Sequence, residues 1–148
     1  MKSSADRLTW SLQQCVEKKM RLTGPRKRIL RFLSESRQPV NLDQMGRARG
    51  IKGTCDNATL WRTMMSLEEF GIVRRVSLKS KMAHFALATP DEHHDYLVCQ
   101  DCGTVADLPH THALDALQEE ISKTKGFTFE KHEVEIYGTC PDCQPAKR

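Results

Sequence analysis

Apolar positions recur at helical spacing through the first half of the chain. Leu8, Leu12, Cys15, Val16 and Met20 fall on roughly one side of a helix predicted over residues 5–20. Thr23 can cap a second helix that holds Pro25 in its first turn. Ile29, Leu30, Phe32 and Leu33 supply its buried face as far as about Glu35. Asn41 followed by Gln44 has the form of a capping box opening a short third helix over about 42–49. The clearest amphipathic helix runs over about 56–70. Leu60, Met64 and Leu67 share one face with Phe70 nearby, Thr59, Arg62, Thr63 and Ser66 lie largely on another, and Gly71 stops it.

The pattern then changes to that of strands. Residues 72–77 and 82–87 read as two strands joined by a turn at 79–81. Helices followed by a two-stranded hairpin are the layout of a winged helix-turn-helix, whose fourth helix enters the major groove while the hairpin lies along the backbone. Pro90 sits in a predicted hinge at 88–92. Beyond it, 96–98 and 105–106 read as short strands. Residues 113–125 read as a helix with Leu114, Leu117 and Ile121 as its stripe, and 127–137 as a strand with Phe127, Phe129, Val134 and Ile136. The expected class is α+β: a winged helix-turn-helix over 1–87, the hinge, and a small α/β module over 93–148. That module has few large apolar groups and should need a metal, a partner copy, or both.

Charge sharpens the division. Residues 1–90 carry 18 Lys and Arg against 7 Asp and Glu, a net +11, whereas 91–148 carry 5 against 12, a net −7. A basic first module suits a polyanion, most simply nucleic acid, and an acidic second module suits cations. Residues 1–10 lack the apolar core of a signal peptide, and no apolar run approaches the ~20 residues of a membrane span. A cytoplasmic protein with no membrane partner is therefore expected.

The chemistry concentrates in two Cys-x-x-Cys pairs, Cys99/Cys102 and Cys140/Cys143, with 37 residues between them. Each tight turn brings two thiolates to one ion, and two turns close a tetrahedral four-cysteine sphere of the structural zinc type. Disulfides and a thioredoxin-like redox pair are the competing readings, disfavoured by the reducing compartment and by the matched pairs. Cys15 and Cys55 read as small apolar residues. No His-Glu-x-x-His, P-loop, nucleotide-binding glycine motif or Ser/His/Asp order occurs, so no catalytic constellation and no small organic substrate is expected.

Several stretches together resemble the ferric uptake regulator family. They are Arg21-Leu-Thr-x-x-Arg26, Ala58-Thr-Leu-Trp-Arg62, His93-His-Asp-Tyr-Leu-Val-Cys-Gln-Asp-Cys-Gly103, and His132-x-x-x-Ile-Tyr-Gly138 with the closing Cys140/Cys143 pair. The likeness spans about 21–143. It implies a dimeric, metal-sensing transcriptional repressor. The expected parts are a winged-helix domain, an α/β dimerisation domain with a four-cysteine structural zinc, and a separate regulatory metal near the hinge. This chain departs in having Leu60 and Trp61 where the family's helix usually has Val and Tyr, and Tyr96 where His is frequent.

The resemblance implies a regulatory site of His93, Asp95, His132 and a carboxylate from the intervening helix. His93 and Asp95, two apart, would point to one side of an extended backbone. Counted back from His132 the helix position is Asp115, because this chain has one residue more than the family pattern near Pro109; Glu119 is the alternative. Two imidazoles and two carboxylates suit Fe²⁺, Mn²⁺ or Zn²⁺. A second site would draw on His94 and Asp107, with His84 reaching from the wing; His110 and His112 read as solvated.

Thr59, Trp61 and Arg62 are the expected contacts to bases or phosphate of a double-stranded operator. Arg26, Lys27, Arg74 and Arg75, with Lys79 and Lys81, are expected on phosphates. Three functions follow: a metal-responsive repressor of palindromic operators, a zinc-stapled nucleic-acid adaptor without regulation, and a thiol redox enzyme. Within the first, iron, zinc-uptake and peroxide regulators are open.

Overall fold

The structure is a computed structural model that describes residues 3–36, 38–76, 83–90, 95–108, 112–129, 132 and 134–145. It falls into two compact units, Met1–Glu92 and His93–Arg148.

The first unit begins with α1 (Ser4–Glu17), closed by a capping box in which Ser3 Oγ accepts the Asp6 N–H at 3.1 Å and Asp6 accepts back from Ser3 N at 3.2 Å. α2 (Gly24–Glu35) starts at its Thr23 cap. Arg7 donates from α1 to the carbonyls of Ser34 and Ser36 at 3.1 and 2.9 Å, placing a cation on the C-terminal end of α2. α3 (Leu42–Arg47) opens on the Asn41/Gln44 box expected for it. α4 (Asn57–Glu69) follows, and its end is turned by Gly71 at φ +66°, a conformation glycine adopts at little cost.

A three-stranded antiparallel sheet completes the unit, in the order β1 (Val40–Asn41), β3 (His84–Leu87), β2 (Val73–Val76). The apolar pattern predicts two of these strands; the pair Val40–Asn41 adds the third. The expected turn at 79–81 lies outside the described residues. Ile29, Leu30, Leu33, Met45, Leu60, Met64, Leu67, Ile72, Phe85 and Leu87 form one core with the buried Cys15. The helix stripes and the sheet therefore converge on a single apolar centre.

The second unit is built on β4 (Tyr96–Cys99), with β5 (Val105–Asp107) antiparallel on one side and β6 (Glu135–Gly138) parallel on the other. α5 (His112–Lys125) is the crossover between the parallel strands. The strand expected over 127–137 is shorter than its apolar pattern. Phe127 and Phe129 lie outside any strand and are exposed, and pairing is confined to 135–138. Among the described residues the buried apolar side chains of this unit are Tyr96, Val98, Cys99 and Val105. So small a core is marginal by itself. The fold is thus a winged helix-turn-helix followed by a small α/β domain.

Candidate metal centres and nucleic-acid interface

Cys99 ends β4, Cys102 lies in the turn that follows it, and Cys140 and Cys143 follow β6. β4 and β6 run parallel with Cys99 opposite Gly138, so both Cys-x-x-Cys turns leave the sheet at the same end. Gly103 takes φ +75° to close the first turn, and Pro141–Cys143 form a 3-10 turn that closes the second. The sulfurs of Cys99, Cys102, Cys140 and Cys143 all lie within 4.8 Å of one another, with Cys102 and Cys140 3.7 Å apart. A tetrahedral zinc with bonds of about 2.3 Å needs sulfur–sulfur edges of about 3.8 Å. The quartet therefore fits zinc, whereas disulfides would need sulfurs at about 2 Å, and all six cysteines are free thiols.

The electrostatics agree. The Cys99 thiol is lowered to about 6 because the backbone N–H groups of Cys102 and Cys140 point at its sulfur, the latter at 3.3 Å. The Thr104 hydroxyl, 3.1 Å away, lowers Cys102. Burial raises Cys140, and its sulfur neighbours, Cys140 first, push Cys143 up. Four thiols this close cannot all ionise unless a cation sits among them.

At the opposite end of the same strand pair stands a second constellation. The Asp95 side chain is 1% exposed, and its Oδ1 accepts the Val134 N–H at 3.0 Å. Its Oδ2 receives no hydrogen bond among the described residues and lies 3.6 Å from His132 Nε2. A buried carboxylate oxygen without a donor is costly unless a cation compensates it. Ligands at about 2.1 Å around a tetrahedral ion lie about 3.4 Å apart, so Asp95 and His132 fit a shared first-row cation. His132 Nδ1 lies 2.8 Å from Gln118 Nε2 on α5, a contact that motif reading missed although Gln118 sits three residues after Asp115 on the same helix face.

The remaining expected ligands are placed as follows. Asp115 is exposed on α5 and does not join Asp95 and His132 in a close group of three; among the described residues only the cysteines form one. Glu119 is drawn to Lys123 at 2.6 Å, with both side chains largely in solvent. His93 and His94 lie outside the described residues, as does His110. His84, expected to reach from the wing toward a second site, is buried on the central strand β3, opposite Asn41 and Val76. Asp107 is exposed at the end of β5.

In the first unit, α4 buries Leu60, Met64 and Leu67 and turns Trp61 and Arg62 outward, with Trp61 45% exposed. Asp56 caps it, accepting the Thr59 N–H at 2.6 Å. Thr59 in turn holds that carboxyl below its usual range. Arg62 Nη2 reaches Thr59 Oγ1 at 3.4 Å, so these two and Trp61 share one outer surface. Arg26 donates to the Arg21 carbonyl, and Lys27 is exposed on α2.

Arg74 is half-buried on β2. Arg75, expected on phosphate, is instead engaged within its own unit. It makes a forked pair with Glu68 of α4 at 3.0 and 2.8 Å, lies 3.5 Å from Met65 Sδ, and stacks over Phe85 at 5.5 Å. Lys79 and Lys81 lie outside the described residues. Among those described, no helix is long and apolar enough to cross a membrane.

A winged helix joined to a zinc-stapled α/β domain defines a class of metal-responsive regulators. The family model described as the ferric uptake regulator family matches residues 17–137. The ferric uptake regulation protein of Neisseria meningitidis serogroup B is 30% identical over 136 residues, 90% of this chain and 93% of that one. The peroxide operon regulator of Bacillus subtilis is 28% identical over 143 residues, 95% of each. The solved ferric uptake regulator of Helicobacter pylori shares the fold, with a TM-score of 0.79 at 16% identity over 99% of this chain and 97% of that one. The chain belongs to the ferric uptake regulator family. Its members are transcriptional regulators rather than enzymes, and structural neighbours include a zinc-bound manganese uptake regulator and an iron-bound ferric uptake regulator.

Proposed function

We propose that this protein is a cytoplasmic, homodimeric repressor that binds a palindromic operator when a divalent metal occupies the site of Asp95 and His132. The observation that carries this is the pairing of a buried Asp95 oxygen, without a donor among the described residues, with His132 at 3.6 Å, in a domain whose structural zinc site is built from other residues. His93 and Asp115 complete the ligand set. Asp115 is favoured over Glu119 because it shares a helix face with Gln118, which reaches His132, while Glu119 is held by Lys123. A metal held by these residues would supply a positive centre beside the start of β4 and β6. DNA-competent spacing of the two winged helices then follows if the state with that spacing binds metal more tightly than the other.

Support for a dimer comes from the outer face of the second sheet. Leu97 and Ile136 are register partners on β4 and β6, both exposed, at 41% and 48%. Leu117, Phe127 and Phe129 add exposed apolar surface to this small unit. DNA contact falls to Thr59, Trp61 and Arg62 in the groove, with Arg26, Lys27 and Arg74 on phosphates. A solved zinc uptake regulator was captured with zinc and DNA on the same fold.

The test is binding to operators selected from a random duplex pool, titrated with Fe²⁺, Mn²⁺ and Zn²⁺. Arg62→Ala is expected to lower the specific-to-nonspecific affinity ratio by about 10-fold or more, as loss of a base-reading arginine costs about 1–3 kcal/mol. Binding that ignores all three metals would leave only the zinc-stapled adaptor. Among the iron, zinc and manganese readings within the family, the ion that drives the titration decides; a peroxide regulator would also lose operator binding when the iron-loaded protein meets peroxide.

Arg75 gives a separate check. Arg75→Ala is expected to lower the thermal midpoint of the first unit, at a cost on the order of 1 kcal/mol from the lost ion pair and ring contact. It should leave the slope of log affinity against log salt unchanged, whereas Lys27→Ala reduces that slope by about one.

A further inference from the structure

The contact between Gln118 and His132 bears on how the regulatory site is set, and the inference drawn from it rests on the metal site proposed above. We infer that Gln118 is a positioning residue that fixes the orientation and tautomer of His132 and so sets the affinity of the site for metal.

Three observations converge. Nε2 of His132 is the nitrogen that faces Asp95 Oδ2, at 3.6 Å. Nδ1, on the other side of the ring, lies 2.8 Å from the Gln118 carboxamide. The ring is largely buried, with 19% of the side chain exposed, so water is poorly placed to replace the amide. An imidazole can offer a lone pair at Nε2 only if its proton is on Nδ1.

Gln118 can meet either nitrogen state, because its amide carries both a donor and an acceptor and turns between them. With its N–H₂ toward Nδ1, the ring proton sits on Nε2 and faces Asp95. With its oxygen toward Nδ1–H, the Nε2 lone pair is presented beside Asp95 Oδ2. Metal uptake therefore couples to a half-turn of one carboxamide. Either way the ring stays in the plane that brings Nε2 to the carboxylate. Groups that orient a ligating histidine in this manner are worth about 10–100-fold in metal affinity.

The experiment uses the full-length, zinc-loaded protein and Co²⁺ as the probe. Co²⁺ affinity is read from its d–d bands, and the absence of thiolate charge-transfer bands shows that the zinc held by the four cysteines has not been displaced. In parallel, ¹⁵N shifts of the His132 ring are measured without Co²⁺. Gln118→Leu is expected to weaken Co²⁺ binding about 10–100-fold and to leave the ring as a mixture of tautomers. Gln118→Glu can only accept from Nδ1–H. It should hold the metal-free ring in the Nδ1–H form and bind Co²⁺ at least as tightly as wild type.

A purely structural role for Gln118 would make both variants lose affinity together with no tautomer shift, and that result overturns the inference. Unchanged affinity and unchanged ring shifts in Gln118→Leu overturn it equally. His132→Ala is measured alongside. If it keeps the Co²⁺ equivalent, the metal-site reading itself fails, whatever Gln118 does.

Discussion

Cys99→Ser is expected to unfold the second unit while the first keeps its helices. Cys99 is the buried member of the quartet, and its thiol, lowered to about 6, is the first to ionise as zinc approaches. The unit it belongs to buries only a handful of apolar side chains among those described, so zinc binding supplies most of its folding free energy. Apparent values for small zinc domains are about 10–16 kcal/mol, far above what so small a core provides. The first unit has its own core around Ile29, Leu30, Leu67 and Phe85 and should persist.

Circular dichroism, zinc content and sedimentation on the variant, and on wild type treated with a strong chelator, measure this. Retention of a folded, dimeric second unit without zinc would refute the scaffold role. The sign with pH follows. A thiol depressed in the folded state favours folding above its ordinary range and loses that contribution as pH falls through about 6. Zinc uptake at neutral pH must also release protons, chiefly from Cys140 and Cys143, which the site raises.

The opposite phenotype is expected at the other end of the strands. His132→Ala should keep the zinc, the fold and the dimer, and lose the response to metal. The lost ligand removes one of two groups that the structure brings together around a common point. A loss of at least about 100-fold in affinity for the regulatory ion is expected, and with it the metal-driven gain in operator binding. Shifting a two-state equilibrium from 1:99 to 99:1 takes about 10⁴-fold differential affinity, so losing about 100-fold of it leaves the two states near 1:1, with the switch at best half thrown. Metal stoichiometry with operator titration checks it: a variant still holding the second equivalent and still switching would remove His132 from the site.

Much of the first unit could be read from its residues because its signals are local. Caps at Thr23 and Asn41 and the Leu60–Met64–Leu67 stripe depend on neighbours three or four positions away, and the helices start and bury where those signals point. The two-residue strand Val40–Asn41 carries no period at all; it exists because Phe85 and His84 lie opposite it. The strand expected from Phe127 failed for a related reason. An alternating apolar pattern marks a face to be covered but not a backbone partner, and among the described residues the register partners of β4 on this segment begin at Glu135.

Charge alone left out part of the setting of Arg75. Composition places a cation on the wing, but not the carboxylate of Glu68 that turns it inward. The cysteine quartet was legible because its ligands come in two short motifs. The Asp95–His132 pair needed the family pattern, and Gln118 needed coordinates.

The parallel course of β4 and β6 has a consequence for how this domain can change its sequence. Asp95 and His132 precede the two strands, and Cys102 and Cys140 follow them, so four paired residues act as a spacer of about 13 Å at ~3.3 Å each. Both ends are indexed to that one register, and the connection that follows β5, as far as His132, is outside it. Residues can be gained or lost there without altering either end. The exception is whatever α5 contributes, since each added residue rotates a helix by about 100°. A residue gained or lost within α5 would therefore re-aim what that helix contributes, whereas Asp95, His132 and the cysteines are fixed by the strand register.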